Sequence, residues 1–239
     1  MAGGAYVALS GLRARSQHLD RLAADIANAG TSGYKAERGT TEAAERLTFD
    51  RALESAIDVA TGPKAFDMRS GAIATTGRDL DFALRGGGFF VVDTESGPRY
   101  TRNGHFERRA DGVLTTSDGE VVQGENGPIQ LTAGALSTAE DGTIRSGATV
   151  AGKLRIVEFA DTGVLAREGS ARFNAGTVTP TAMAAPRVER GALEKSNVSV
   201  VDRIAEMTET SRTFEALQRG VALLMNDIDG KAITELGRR

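Results

Sequence analysis

The sequence predicts an α+β protein in which long N- and C-terminal helices pair as a coiled-coil-like bundle and an all-β domain of short strands is inserted between them. Three observations predict it. A seven-residue repeat of small and apolar residues runs along each end of the chain, and the middle is punctuated by Asp-Gly, Asn-Gly and Gly-Pro pairs. The chain also carries 29 glycines but only 5% aromatics and no tryptophan, a composition of many turns and few bulky anchors.

The N-terminal repeat is Ala5, Leu9, Leu12, Ser16, Leu19, Ala23 and Ile26, stepping by 4 and 3 with no proline between them. That is the seam of a helix packing on other helices at a shallow angle. Asn28-Ala29-Gly30 is expected to close it, because Asn and Gly tolerate the left-handed conformation that ends helices. The second repeat is Val200, Ile204, Met207, Ser211, Phe214, Gln218, Val221, Met225, Ile228 and Ala232, opened by Ser199 with Asp202 three residues on, in the manner of a capping box. Between them, Phe89–Val92, Val113–Thr116, Glu120–Val122 and Leu154–Val157 are short β-prone runs, and Asp111-Gly112, Asp118-Gly119 and Asp141-Gly142 supply tight turns. The expected organisation is an N-terminal helix over 1–34, an extended connector over 35–76, the all-β domain over 77–185, and a C-terminal connector and helix over 186–239. Within the connector, 41–59 reads as one amphipathic helix.

Each terminal helix lacks a partner in its own half of the chain. The two can run antiparallel, but seams rich in Ala, Ser, Thr and Gln give a lone pair little apolar area to bury. Isolated helices are marginal in water. The expectation is therefore a multi-helix layer built from several chains, its interface carried by Leu9, Leu12, Leu19, Ile26 and Asn28 with Ile204, Met207, Phe214, Val221 and Ile228.

Composition narrows the chemistry. With no cysteine and two histidines, His18 and His105, disulfides, thiolate nucleophiles and multi-histidine metal sites are excluded, and neither metal nor cofactor is expected. A net charge of −3 offers no global attraction to nucleic acid or anionic lipid. No apolar run approaches the roughly 20 residues that span a bilayer, and no cleavable signal pattern is read at the N-terminus, where Arg13 and Arg15 follow the apolar stretch. Gly86-Gly87-Gly88 leads into a strand, not a helix, so it reads as a turn and not a phosphate loop. Asp79 and Asp81, with Asp93 downstream, would share a strand face and could serve a secreted carbohydrate-active enzyme, although solvated strand charges explain them as well. The arginine-rich segment Arg99–Arg109 could contact single-stranded nucleic acid; a protein-contact hairpin fits its Asn103-Gly104 turn better.

Several landmarks together resemble the rod–hook–filament-base family of bacterial flagellar axial proteins. Ile26-Ala27-Asn28 with Thr31-Ser32-Gly33-Tyr34-Lys35 is similar to its N-terminal signature, and Thr76-Gly77-Arg78-Asp79-Leu80-Asp81 with Gly88-Phe89-Phe90-Val91-Val92 to its central segment. Tyr100-Thr101-Arg102-Asn103-Gly104-His105-Phe106, then Gly191-Ala192-Leu193-Glu194-Lys195-Ser196-Asn197-Val198, then Arg212-Thr213-Phe214-Glu215 and Leu236-Gly237-Arg238 complete an ordered series over nearly the whole chain. Two positions depart from the pattern: Ala24-Asp25 stands where the family has Asn-Asn, and Arg85-Gly86-Gly87 where an acidic residue is common. The resemblance implies a non-enzymatic rod subunit, proximal in type, with a distal-rod or hook-family subunit as the alternative. It also implies polymerisation into a hollow periplasmic shaft that transmits torque from motor to hook. Implied partners are copies of itself, neighbouring rod proteins and the flagellar type III export apparatus, which carries the chain without a cleaved signal. Nucleic-acid binding and direct membrane insertion are not implied.

Overall fold

The computed structural model describes residues 2–38 and 65–236, with side chains placed over 9–38 and 65–223. The segment expected as an amphipathic helix over 41–59 lies outside the described residues. Two compact units divide the chain.

The first unit contains α1 (Ala2–Ala27) and α2 (Val200–Leu236). Ser199 starts α2: its hydroxyl faces the Asp202 N–H at 3.5 Å and its carbonyl accepts from the Arg203 N–H at 3.0 Å. Beyond α1 the Thr31 N–H donates to the Asn28 carbonyl, a simple turn. Neither Asn28 nor Gly30 adopts the expected left-handed conformation. The first left-handed residue is Gly33, with φ of 70°.

The expected α+β fold with a coiled-coil-like helical bundle is not what the structure contains. Among the described residues two α-helices stand against nineteen short strands, mostly in curled antiparallel sheets, so the fold is mainly β. The helices also fail to make a coiled-coil seam. Leu9 is 56% exposed and Ile204 51% exposed, whereas Leu22, Asp25 and Thr210 are buried. What joins α1 to α2 is polar: Arg203 Nε lies 3.1 Å from Asp25 Oδ2, and His18 Nε2 lies 3.1 Å from Glu206 Oε1. Knobs-into-holes packing needs apolar residues at successive inward positions, and here Asp25, Arg203 and Thr210 share them with Leu22, Met207 and Phe214.

The second unit covers 28–38 and 65–198. Its organising element is the strand Phe89–Thr94, which pairs antiparallel with Gly97–Thr101, Val121–Gly124 and Ile156–Glu158. Successive side chains of a strand point to opposite faces. Phe90 and Val92 therefore enter one apolar cluster with Phe82, Leu84, Phe106, Leu114, Val122, Ile129, Ile144 and Leu154. Phe89 and Val91 enter another with Phe66, Tyr100, Val157, Leu165 and Phe173. A continuous apolar run suits a strand covered on both faces. The Asp-Gly pairs turn the hairpins: Gly112, Gly119 and Gly142 have φ of 88°, 86° and 84°.

Two further pairings bring chain ends into this unit. Glu37–Arg38 pairs with Ala65–Phe66, and Ile73–Thr75 pairs with Ala192–Glu194. These pairings place the segment around Lys35 and the segment around Glu194 on one body with the central strands.

Candidate functional site

The predicted interface residues that are described fall into two groups. Leu9 and Ile204 project into solvent; Leu12, Leu19, Ile26, Met207, Phe214 and Val221 are half-buried. Asn28 is half-buried in the turn after α1, its Oδ1 3.3 Å from the Thr31 hydroxyl. Ile228 lies within α2, beyond the described side chains. Val200, Val201, Leu217 and Leu223 are also exposed large apolar residues on α2, with Val201 76% and Leu223 71% open.

The second unit holds a buried polar centre that hydrophobic patterning misses. Lys35, Arg102 and Glu194 are all nearly inaccessible. Lys35 Nζ lies 2.5 Å from Glu194 Oε1 and donates to the Arg69 carbonyl at 2.8 Å. Arg102 Nε approaches Glu194 Oε2 at 2.9 Å, a charge contact without hydrogen-bond alignment. The rest of the Arg102 guanidinium donates to the carbonyls of Gly86, Gly87 and Gly88 at 2.6, 3.0 and 2.7 Å. The glycine run is thus a cradle for an internal cation, which its three carbonyls receive.

Around this centre the backbone is drawn close. The Gly33 N–H donates to the Glu194 carbonyl at 2.7 Å, the Gly71 N–H to Glu194 Oε1 at 2.9 Å, and the Ala36 N–H to Asn197 Oδ1 at 2.8 Å. Asn197 Nδ2 reaches the Asp67 carbonyl at 2.7 Å. A Cβ at Gly33 would overlap the Arg102–Asn103 backbone, and one at Gly104 would overlap the Phe82 carbonyl. Burial pushes the Lys35 ammonium below its usual range while the Glu194 carboxylate opposes that shift. Arg69 and Arg38 hold the Asp67 carboxyl well below the ordinary carboxylate range. Arg167 stacks on Tyr34, its guanidinium carbon 4.1 Å from the ring centroid, and donates to the Tyr34 hydroxyl at 2.6 Å and to the Lys35 carbonyl. The clue available in sequence was one charged residue in each of three distant motif blocks: Lys35, Arg102 and Glu194.

The residues weighed for chemistry do not converge. An open cleft of about 480 Å³ is lined by Arg78, Asp79, Leu80, Arg108 and Leu136 among others. Asp79 is its one carboxylate and sits 3.4 Å from Arg190. Asp81 does not share a face with Asp79: it is buried, its Oδ1 2.8 Å from His105 Nδ1, and the strand begins only at Phe82. Asp93 is exposed on the central strand. Among the described residues no three His, Asp or Glu side chains gather to hold a metal. Three of the four arginines in Arg99–Arg109 are engaged, Arg99 with Glu168, Arg102 in the buried centre and Arg109 with Asp111, so the segment presents no basic strip.

Comparison with known proteins gives one answer along the whole chain. Residues 83–146 match the flagellar hook protein FlgE/F/G D1 domain, and residues 189–222 the C-terminal part of flagellar basal body rod FlgEFG proteins. The chain is 34% identical over 250 residues to a flagellar basal-body rod protein FlgF of Rhizobium meliloti, covering 99% of each. It is 31% identical over 248 residues to the FlgF of Caulobacter vibrioides, covering 100% of this chain and 99% of that one. It is also 31% identical over 239 residues to a flagellar basal-body rod protein FlgG of Bacillus subtilis, covering 88% of this chain and 90% of that one.

Proposed function

The chain belongs to the flagellar basal-body rod proteins of the FlgF type, and we propose that it is built into the rod through the apolar faces its two helices leave uncovered. It is a structural subunit of the basal body and not an enzyme. The observation that carries the assembly reading is the exposure of Leu9, Val201, Ile204 and Leu223 on α1 and α2. Covering one large aliphatic side chain is worth roughly 1.5–3 kcal/mol, so neighbours that bury several of them have a substantial driving force. Copies of the same chain and adjoining rod subunits of similar helices are the partners this surface fits. Leu12, Leu19, Ile26, Met207, Phe214 and Val221, half-buried, flank the exposed residues on the same two helices, with Asn28 just beyond α1 and Ile228 further along α2. Family membership further supports passage of the unfolded chain through the flagellar type III export apparatus and a role in carrying torque along the rod.

The test is complementation of a strain lacking the gene. Ile204→Asp places a charge on an exposed position, so the purified variant keeps the fold of its β unit while the cells stop swimming and lack hooks. Normal swimming of that strain would remove Ile204 from the interface and, with Phe214→Asp behaving likewise, would overturn assembly through these helices.

A further inference from the structure

Lys35 and Arg102 are cations buried in the β unit, and among the described residues the only carboxylate touching either is that of Glu194. Glu194 lies 159 residues from Lys35 along the chain. Besides these charges it accepts from the Gly71 N–H through its side chain and from the Gly33 N–H through its carbonyl. One residue near the end of the unit therefore gathers the segments around 33–35, 71 and 102.

We infer that Glu194 is the closing residue of this fold, engaged only after the apolar pairings of residues 82–122 have formed. A buried charge without its counter-ion is strongly unfavourable, so Lys35 and Arg102 stay solvated until Glu194 arrives. Within the larger apolar cluster, Phe82, Phe90, Val92, Phe106, Leu114 and Val122 come from residues 82–122 and are joined by pairings close in the chain, so this part forms first, and Ile129, Ile144, Leu154 and Val188 join it from further along. A chain whose residue 194 has not yet docked collapses the 82–122 part of its core but leaves the segments at 33–36 and 67–71 open. This ordering is independent of how the subunit assembles.

Stopped-flow unfolding and refolding of the purified full chain tests it, followed by the fluorescence of Tyr34 and Tyr100, both buried in this unit. Glu194→Gln is expected to speed unfolding by at least about a hundredfold and leave refolding within about twofold of the parent. Val92→Ala is expected to slow refolding several-fold. If Glu194→Gln populates too little folded protein, Glu194→Asp keeps the charge one methylene further back and is read the same way. A Glu194 variant whose loss falls mainly on the refolding rate, or one that changes neither rate, overturns the inference.

Discussion

At the scale of single residues, the glycines separate cleanly by what surrounds them. Gly104 has no left-handed φ, yet a Cβ would strike the Phe82 carbonyl, part of the backbone that cannot yield. Gly104→Ala is expected to destabilise by about 2 kcal/mol or more, as overpacking against fixed atoms does. Gly11 lies inside α1 with open space around it, so Gly11→Ala should stabilise by roughly 0.5–1 kcal/mol through helix propensity. Urea denaturation of both variants checks the pair, and equal effects would contradict the reading. Asp67 yields a prediction in pH. Hydrogen bonds from the Arg69 side chain and backbone, with Arg38 beside it, hold its folded carboxyl well below the ordinary value of 3.8. The unfolded chain then binds the proton more readily, so stability falls as pH drops below about 4. The gap in urea midpoint between parent and Asp67→Asn should be full at pH 6 and shrink steadily from pH 4 toward pH 2. A gap that does not change over that range would show that the ion pair contributes nothing.

At the scale of elements, some features are legible in the sequence and others are hidden for definable reasons. The Asp-Gly turns and the central strand announce themselves, because left-handed glycines and β-prone apolar runs are local signals. The register of α2 does not. Apolar periodicity picks 204, 207, 211, 214, 218 and 221, whereas the inward-lying residues are Arg203, Glu206, Met207, Thr210, Ser211, Thr213, Phe214 and Val221. The two sets share four residues and part where Arg203 and Thr210 are turned inward, since a hydrophobicity pattern gives no weight to an arginine pairing with a buried aspartate. Asp25 is that partner. The buried centre of the β unit is hidden for the same reason: Lys35, Arg102 and Glu194 each look like surface residues until the pairing of distant strands brings them together. A double-mutant cycle on Asp25→Ala and Arg203→Ala is expected to show coupling of about 1–2 kcal/mol in thermal unfolding followed at 222 nm, with the double variant losing less than the summed singles. Strict additivity would mean that the helices are joined by something other than this ion pair.

At the scale of the whole molecule, the two units differ in how much they can hold without neighbours. The β unit carries two apolar clusters on either face of one strand and a fully enclosed charge centre, so its amides should open only with global unfolding. Along α1 the one large apolar side chain fully buried among the described residues is Leu22. A helix anchored by so little apolar area and a few ion pairs opens locally at small free-energy cost, because helix propensity alone scarcely offsets the entropy of ordering the backbone. Hydrogen exchange on the purified chain in dilute buffer should therefore show amides 9–27 exchanging orders of magnitude faster than those of Phe90–Val92. The proposed assembly predicts that in isolated basal bodies the same helical amides become protected, since neighbouring subunits would then cover Leu9 and the exposed face of α2. Slow exchange along 9–27 in the dilute chain would mean that the helices are complete without partners, and the exposed apolar residues would then lose their claim to be the surface through which the rod is built.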